Sequence, residues 1–266
     1  MKLFISADIE GCCGVCAWPE TERGKDDYEY ARGQMTREVN AACRGALAAG
    51  AGAIRVKDAH DNARNILPGT LPEGVELNRG WTGDGFSMVS GLQDGFDALA
   101  FVGYHSPGGG DGNPLAHTMN TVTVDEVRIN GKRAGEFHIH AYAAGMLGIP
   151  VIFLSGDQAL CELAKELVPG ITTVAVSRGT GGSSTSIHPE IAAENIRRGM
   201  ERAVAQKGEG CQVPMPGEFV TQVRFTTHAK AQSASIYPGA LRLDEKTVEF
   251  ASRDYMDLLR FYHFTL

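Results

Sequence analysis

Residues 2–11, KLFISADIEG, are an apolar stretch that runs into two carboxylates and a glycine. The stretch predicts a β-strand over residues 2–9. Apolar and small residues at helical spacing predict a helix over residues 28–49, and the apolar run at residues 53–57 predicts a second strand. The start of the chain therefore indicates a β-α-β unit.

The alternation of strands and helices continues through the chain. Continuous apolar runs at residues 98–103 and 150–154 are typical of strands buried on both faces of a parallel sheet. A further strand is predicted at residues 172–176, and further helices at residues 141–147, 158–167, 189–205 and 253–264. This order predicts a layered α/β fold with a mainly parallel sheet and helices on both faces. We expect a single catalytic domain over residues 1–266, or two lobes with a boundary near residue 148.

Composition excludes several classes of protein. The 266 residues carry 25 Lys and Arg against 32 Asp and Glu, and the formal net charge of −7 disfavours nucleic acid and anionic membranes as partners. Mean hydropathy is −0.15, and no apolar run approaches twenty residues. Asp8 and Glu10 interrupt the opening apolar stretch before it is long enough for a secretory signal. Six cysteines in a chain of this length do not form a disulfide framework, so we expect a cytoplasmic protein with reduced thiols.

Chemistry-bearing residues follow three predicted strands. Asp8 and Glu10 are two positions apart, so their side chains project from the same face, where a cation would offset their repulsion. His60 and His105 follow the next two strands, and the carboxyl ends of parallel strands meet at one edge of a sheet. Two imidazoles beside a carboxylate pair suit zinc or a similar ion, whereas the acid pair alone is equally well explained as a capping acid beside a solvated one. Asp58 is either an acceptor that orients an imidazole or a turn residue.

Three downstream histidines are ambiguous from the pattern alone. His117 follows a glycine-rich loop at residues 107–113. Glu136, His138 and His140 alternate as residues of a strand do, which leaves open a separate metal site or an unliganded surface segment.

Two other motifs suggest competing functions. Cys13 and Cys16 have the Cys-x-x-Cys spacing of redox proteins, but the motif alone is a weak signal. The glycine-rich residues 178–184 follow a predicted strand and could cradle a phosphate, although they lack the ending of a P-loop. The pattern of residues 178–184 favours a flexible loop or an oligomer contact over a phosphate site.

The segment Ser6-Ala7-Asp8-Ile9-Glu10-Gly11 resembles the Ser-x-Asp-x-Glu-Gly signature of the DppA-type D-aminopeptidases, which are binuclear zinc metallopeptidases. The similarity covers residues 1–180 well and later residues only loosely. Further segments resemble family landmarks in the same order: Asp58-Ala59-His60, Phe86-Ser87-Met88-Val89, Gly103-Tyr104-His105, Ala116-His117-Thr118-Met119, Gly135-Glu136 and Gly156-Asp157.

The resemblance implies a site and an activity. It implies that two zinc ions are held by Asp8, Glu10, His60, His105 and Glu136, with Asp8 as the bridge and His117 as the catalytic histidine. His138 and His140 match no ligand of the family pattern. The implied substrates are short peptides or aminoacyl amides with D-amino acid termini, and the implied assembly is a ring-like homo-oligomer, a decamer in this family.

Some alternatives stay open at this stage. Manganese or cobalt could replace zinc, and a binuclear site could hydrolyse another amide or a phosphoester. A metal- or peptide-binding assembly that has lost turnover would also retain the ligands. Cys12, Cys13 and Cys16 and the glycine-rich loop before His117 match nothing in the family pattern and could alter specificity.

Overall fold

A computed structural model describes residues 1–266 and shows two β-sheets with flanking helices. The strands are β1 (Lys2–Ala7), β2 (Ala53–Asp58), β3 (Val75–Asn78), β4 (Ala98–Tyr104), β5 (Val124–Ile129), β6 (Lys132–Ala134), β7 (Val151–Asp157), β8 (Thr172–Thr180), β9 (Ser183–Ser186), β10 (Phe219–Phe225), β11 (Leu241–Arg242) and β12 (Thr247–Ser252). The helices are α1 (Trp18–Thr21), α2 (Tyr28–Ala48), α3 (Glu136–Met146), α4 (Gln158–Leu167), α5 (Pro189–Ala205), α6 (His228–Ala234) and α7 (Tyr255–Thr265).

The larger sheet has seven strands in the order β3-β2-β1-β4-β7-β8-β9. All neighbouring pairs are parallel except β8 with β9. Strands β1, β4 and β7 are almost entirely buried because helices cover the sheet, which explains their continuous apolar sequences. The predicted α/β fold with a mainly parallel sheet is confirmed.

The smaller sheet has five antiparallel strands in the order β11-β12-β10-β5-β6, and the sequence patterns above did not predict it. Along β10 every second residue is buried, as expected for a sheet with one covered face. The sheet combines residues 124–134 with residues 219–252, so a boundary near residue 148 does not separate the two sheets. One continuous core of 72 buried apolar residues runs through both.

Helices α2 and α5 pack against each other closely. A β-carbon on Gly45 of α2 would lie 2.2 Å from the carbonyl oxygen of Arg197 in α5, so a side chain at residue 45 would separate the two helices. Gly45 therefore fixes the distance between α2 and α5.

Two predicted elements differ from the structure. Residues 136–140 begin α3 and are not strand-like, so the alternation of Glu136, His138 and His140 has no structural meaning, and the helix predicted from residue 141 begins at Glu136. Residues 178–184 form the hairpin between β8 and β9, where backbone groups pair with one another, so they are not a phosphate-binding loop.

No helix of the chain has the length and apolar character needed to cross a membrane. All six cysteines are free, and five of them are buried. These five belong to the hydrophobic core.

Candidate metal centre

The structure brings Asp8, Glu10, His60, His105 and Glu136 together at one edge of the larger sheet. Asp8 and Glu10 follow β1, His60 follows β2, and His105 follows β4; Glu136 is the first residue of α3. All five are buried. The carboxyl ends of three neighbouring parallel strands supply four of the five side chains, as expected for ligand sites in open α/β sheets.

Glycines allow β1 and β4 to approach each other closely below the cluster. A β-carbon on Gly11 would lie 1.8 Å from the carbonyl oxygen of Tyr104, and one on Gly103 would lie 2.3 Å from that of Asp8. The Gly11 amide donates to the carbonyl oxygen of Gly103 at 2.9 Å. This contact lets the chain turn directly after Glu10 and keeps both carboxylates next to His105.

The first group of potential ligands comprises Asp8, Glu10 and His60. The Nδ1 atom of His60 lies 3.3 Å from Asp8 Oδ1 and 3.2 Å from Glu10 Oε2. One imidazole nitrogen and two carboxylate oxygens thus face the same point.

The second group comprises His105, His117 and Glu136. His105 Nε2 lies 2.9 Å from Glu136 Oε2, and His117 Nε2 lies 3.6 Å from Glu136 Oε1. Asp8 stands between the groups, because its Oδ2 atom is 3.5 Å from His105 Nε2 while its Oδ1 atom faces His60.

Backbone carbonyls orient the three imidazoles. His60 Nε2 donates to Thr21 O at 2.8 Å, His105 Nδ1 donates to Ser106 O at 3.0 Å, and His117 Nδ1 donates to Leu115 O at 2.9 Å. Because a carbonyl oxygen can only accept, each of these nitrogens carries a hydrogen. The other nitrogen of each ring therefore faces the cluster and is available as a ligand or as a base.

The cluster fits a divalent metal on the evidence of its unpaired atoms. Glu10 Oε2, His105 Nε2 and Glu136 Oε2 are buried and have no hydrogen-bond partner. Although His105 Nε2 and Glu136 Oε2 are close, they do not form a hydrogen bond with each other. Unpaired buried polar atoms destabilise the folded state. A divalent cation that takes oxygen and nitrogen ligands would provide these three atoms with a partner.

Electrostatic interactions within the cluster are strong. Burial, together with the Glu10 carboxylate, raises the pKa of Asp8 to about 8. Burial also opposes ionisation of Glu136, but the neighbouring His105 and His117 lower its pKa to about 2. Burial opposes protonation of His60 and His105, yet the carboxylates of Glu10 and Glu136 raise the pKa of each ring well above its usual value. The protonated rings thus supply the positive charge that a bound cation would replace.

His117 is held differently from the other histidines. Its ring stacks on His105 with centroids 4.2 Å apart and planes within 7°, and the Trp18 ring packs edge-on at 5.3 Å. A metal lies near the plane of an imidazole that ligates it, so one ion cannot lie in two parallel, stacked ring planes. Burial, and then the charge of His105, lower the pKa of His117, which favours the neutral ring.

Two buried aspartates support the ligand loops. The Asp58 carboxylate accepts the backbone amides of Asn65 and Ile66 at 2.6 and 2.8 Å and contacts no imidazole, so Asp58 acts as a turn residue. Asp157 accepts the amide and hydroxyl of Ser106, both at 2.6 Å. Since Ser106 O accepts from His105, Asp157 positions that ring through Ser106.

The cluster forms the floor of an open cavity of about 440 Å³, here called the main cavity. Its wall includes Trp18 and Trp81, both partly exposed, and the exposed carboxylates of Glu22 and Asp61. No Lys or Arg lines this cavity. The main cavity therefore contains five carboxyl groups and no permanently charged cationic side chain.

Several residues of the site could not be found from sequence patterns. The carbonyls of Thr21, Ser106 and Leu115 carry no residue-type signal, because any residue provides a carbonyl. Trp18, Trp81, Glu22 and Asp61 lie in loops or in a four-residue helix whose placement depends on the whole fold.

The competing motifs do not form sites of their own. His138 and His140 belong to neither potential ligand group, and burial lowers the pKa of each ring to about 4. Burial raises the pKa of the Cys13 thiol to about 11, whereas redox-active cysteines have a lowered thiol pKa. A thioredoxin-like role for Cys13 and Cys16 is therefore not supported.

Comparison with known proteins gives consistent matches over the full chain. The sequence profile of peptidase family M55, described as D-aminopeptidase, matches residues 1–264. A "D-aminopeptidase" of Bacillus subtilis strain 168 is 30% identical over 259 residues, which cover 97% of this chain and 93% of the relative. The solved structure of "Zn-dependent D-aminopeptidase DppA from Bacillus subtilis, a self-compartmentalizing protease" superimposes with a TM-score of 0.90 at 28% identity, covering 98% of this chain and 95% of that one.

Proposed function

The chain belongs to the D-aminopeptidase family M55, and from this premise we propose which residues carry its zinc-dependent aminopeptidase activity. Glu10 and His60 would hold one zinc ion and His105 and Glu136 the other, and Asp8 lies where it could contribute to both. The observation that carries this proposal is the position of Asp8, whose two carboxylate oxygens face different histidines at 3.3 and 3.5 Å. Manganese or cobalt would fit the same oxygen and nitrogen ligands.

His117 acts as the proton-transferring residue. Bound zinc supplies Lewis acidity toward water and toward the carbonyl of the scissile bond. The neutral His117 ring keeps its Nδ1 hydrogen on Leu115 O, so Nε2 can take a proton from the attacking water and pass it to the leaving amine. The stack between His105 and Trp18 holds Nε2 toward the cluster during both transfers.

The acidic cavity suits a substrate with a free, protonated amine. Two zinc ions would neutralise the buried carboxylates, which leaves Glu22 and Asp61 at the wall to attract an ammonium group. The same absence of Lys and Arg disfavours a phosphoester substrate, since phosphate is usually bound by cationic side chains. We therefore propose short peptides or aminoacyl amides, with the D-configuration at the amino terminus, as substrates.

Hydrolysis of matched D- and L-aminoacyl amides tests this function directly. Zinc-loaded protein should bind two metals per chain and should cleave the D-amide selectively. The His117→Ala variant should retain metal, because the His117 ring stacks parallel to that of His105 and the two rings cannot ligate the same ion. It should lose most turnover, because the residue that transfers the proton is missing. Two metals without any amide cleavage would move the function to another hydrolase or to binding, and no bound metal would overturn the site as well.

We also propose that the chain assembles as a ring-like homo-oligomer in the cytoplasm. The solved relative is described as self-compartmentalizing, and exposed apolar side chains of this chain, including Ile236, Leu241 and Phe264, are available for contacts between copies. The six free thiols suit a reducing compartment. Light scattering should give about ten times the 28.5 kDa of one chain if the assembly is a decamer, whereas a monomeric mass would exclude it.

A further inference from the structure

A second, smaller cavity adjoins the main cavity beside the metal centre. Its volume is about 210 Å³, and we call it the side cavity. Ser87, Met119 and Asn120 line both cavities and form the lip between them. The remaining wall comes from Gly85, from α3 and from α7.

The chemistry of the side cavity contrasts with that of the main cavity. Ile139 of α3 and Leu259 and Tyr262 of α7 are buried and line it, and the Tyr262 hydroxyl is already hydrogen bonded to Thr221 at 2.7 Å. No Asp, Glu, Lys or Arg side chain lines the side cavity, and its titratable side chains besides Tyr262 are His140 of α3 and His263 of α7. Five carboxylates, by comparison, line the main cavity. Because the side cavity lacks the carboxylates of the main cavity and the buried Ile139, Leu259 and Tyr262 form part of its wall, it favours an apolar group over a charged one.

Two residues at the lip have unusual backbone conformations. Ser87 has φ 46° and Met119 has φ 64°, in the left-handed region that side chains other than glycine rarely adopt. In this conformation the Met119 amide donates to Glu136 Oε1 at 2.7 Å. Strained residues of this kind cluster at functional sites, and here both strained residues lie at the junction of the two cavities.

We propose that the side cavity is a specificity pocket, which takes an apolar side chain of the peptide while its backbone lies in the main cavity. The proposal rests on the aminopeptidase function proposed above. Volume is consistent with this occupant, because an apolar cavity of about 150 Å³ is large enough to hold benzene. Met119 couples pocket and centre, since its amide contacts the proposed ligand Glu136 while the residue forms part of the lip.

A narrowing variant tests the pocket. A β-carbon on Gly85 would lie 3.4 Å from Leu259 Cβ, an ordinary contact, so Gly85→Val can fold while it fills the side cavity. Gly217→Val is the matched control, because residue 217 has no neighbour within 4 Å of its would-be β-carbon. Ile139→Ala widens the pocket and provides a change in the opposite direction.

The readout is the ratio of kcat/KM within two substrate pairs: D-leucinamide with D-alaninamide, and D-Ala-D-Leu with D-Ala-D-Ala. In one of the two pairs, we expect Gly85→Val to lower kcat/KM for the leucine substrate about 10-fold or more relative to kcat/KM for the alanine substrate. Gly217→Val should leave both ratios unchanged, and Ile139→Ala should not lower the leucine rate selectively. If Gly85→Val retains bound metal and kcat/KM falls equally for both members of each pair, the specificity pocket is overturned while the peptidase function stands. Wild-type protein that cleaves neither pair would overturn the peptidase function, and the pocket with it.

Discussion

At the scale of single residues, the centre depends on groups that are not ligands. Backbone carbonyls select the inward-facing nitrogen of each histidine, and the buried Asp157 holds Ser106, which supplies one of those carbonyls. A substitution that disturbs the hydrogen bonds orienting these histidines should therefore lower zinc affinity, even where no proposed ligand is changed.

Asp157 provides a test of such support. Asp157→Ala removes both bonds to Ser106 and so loosens His105, and we expect zinc affinity to fall about 10- to 100-fold. The substitution also removes the N-cap of α4, at a cost of about 1 kcal/mol. Asp254→Ala is the matched control, because it removes the N-cap of α7 and lies outside the site. Equal zinc affinity in both variants, measured by competition with a chelating dye, would contradict the role of Asp157.

Asp61 provides a test of amine recognition. Asp61→Asn removes one negative charge from the wall of the main cavity and tolerates the left-handed conformation of residue 61, where φ is 45°. We expect KM to rise roughly 2- to 5-fold at low salt with little change in kcat, because an exposed ion pair contributes up to about 1 kcal/mol. Glu218→Gln, an exposed charge removed elsewhere, should not change KM. An unchanged KM for Asp61→Asn would show that the amine is recognised by other groups.

At the scale of elements, α2 carries an acidic residue with no role in the centre. Glu38 is buried in this helix and accepts the Cys13 amide at 2.8 Å and the Gln34 side chain at 2.9 Å. Burial raises the pKa of Glu38 to about 7. Its protonated form therefore fits the folded chain better than its ionised form.

The pH dependence of stability should reveal Glu38. Since its folded pKa is raised, its stabilising contribution is fully present below pH 4.5 and is lost as the pH rises through about 7. Glu38→Gln cannot ionise, so from pH 5 to pH 8 its stability should improve relative to wild type by up to about 3 kcal/mol. Urea unfolding of both proteins across this range measures the difference. Parallel curves for the two proteins would refute the raised pKa.

Elements of the parallel sheet were predictable from sequence, whereas the antiparallel sheet was not. Continuous apolar runs such as residues 98–103 and 150–154 identify buried strands because both of their faces are covered. Strand β10 has one covered face and lies among polar residues, so its alternation is a weaker signal. Residues 136–140 show the same difficulty, since alternating histidines resemble a strand but α3 buries them on a helix.

For the candidate site, strand ends predicted that Asp8, Glu10, His60 and His105 converge at one edge, whereas Glu136 was assigned only through the family resemblance. The sequence did not predict the stacking of His117 on His105, which depends on the loop that carries residue 117. It also did not predict the side cavity, whose wall includes Leu259 of α7, far from the site in sequence. Contacts between distant segments leave no local pattern.

At the scale of the whole molecule, bound metal should contribute to global stability. Chelation should abolish activity and lower Tm by roughly 5 °C or more, because each ion held at 100 times its Kd contributes about 2.7 kcal/mol. Adding zinc should restore both Tm and activity. The Asp8→Ala variant, which lacks the shared ligand, should show a Tm that does not respond to the chelator. Removal of metal without any change in the wild-type Tm would contradict a centre that is part of the folded structure.

The smaller sheet has a consequence for biosynthesis. Its strand β5 pairs with β10, about ninety residues later in the chain, and the intervening segment contributes three strands to the larger sheet as well as helices that cover it. Closing so long a loop is slow, and on a ribosome β10 emerges only after most of the larger sheet has been made. The helix that carries Glu136 packs on β4 through Phe137 but is also tied to α7, whose Tyr255 hydroxyl donates to Ile139 O, so we expect the nascent chain to fix the position of this carboxylate only near the end of translation.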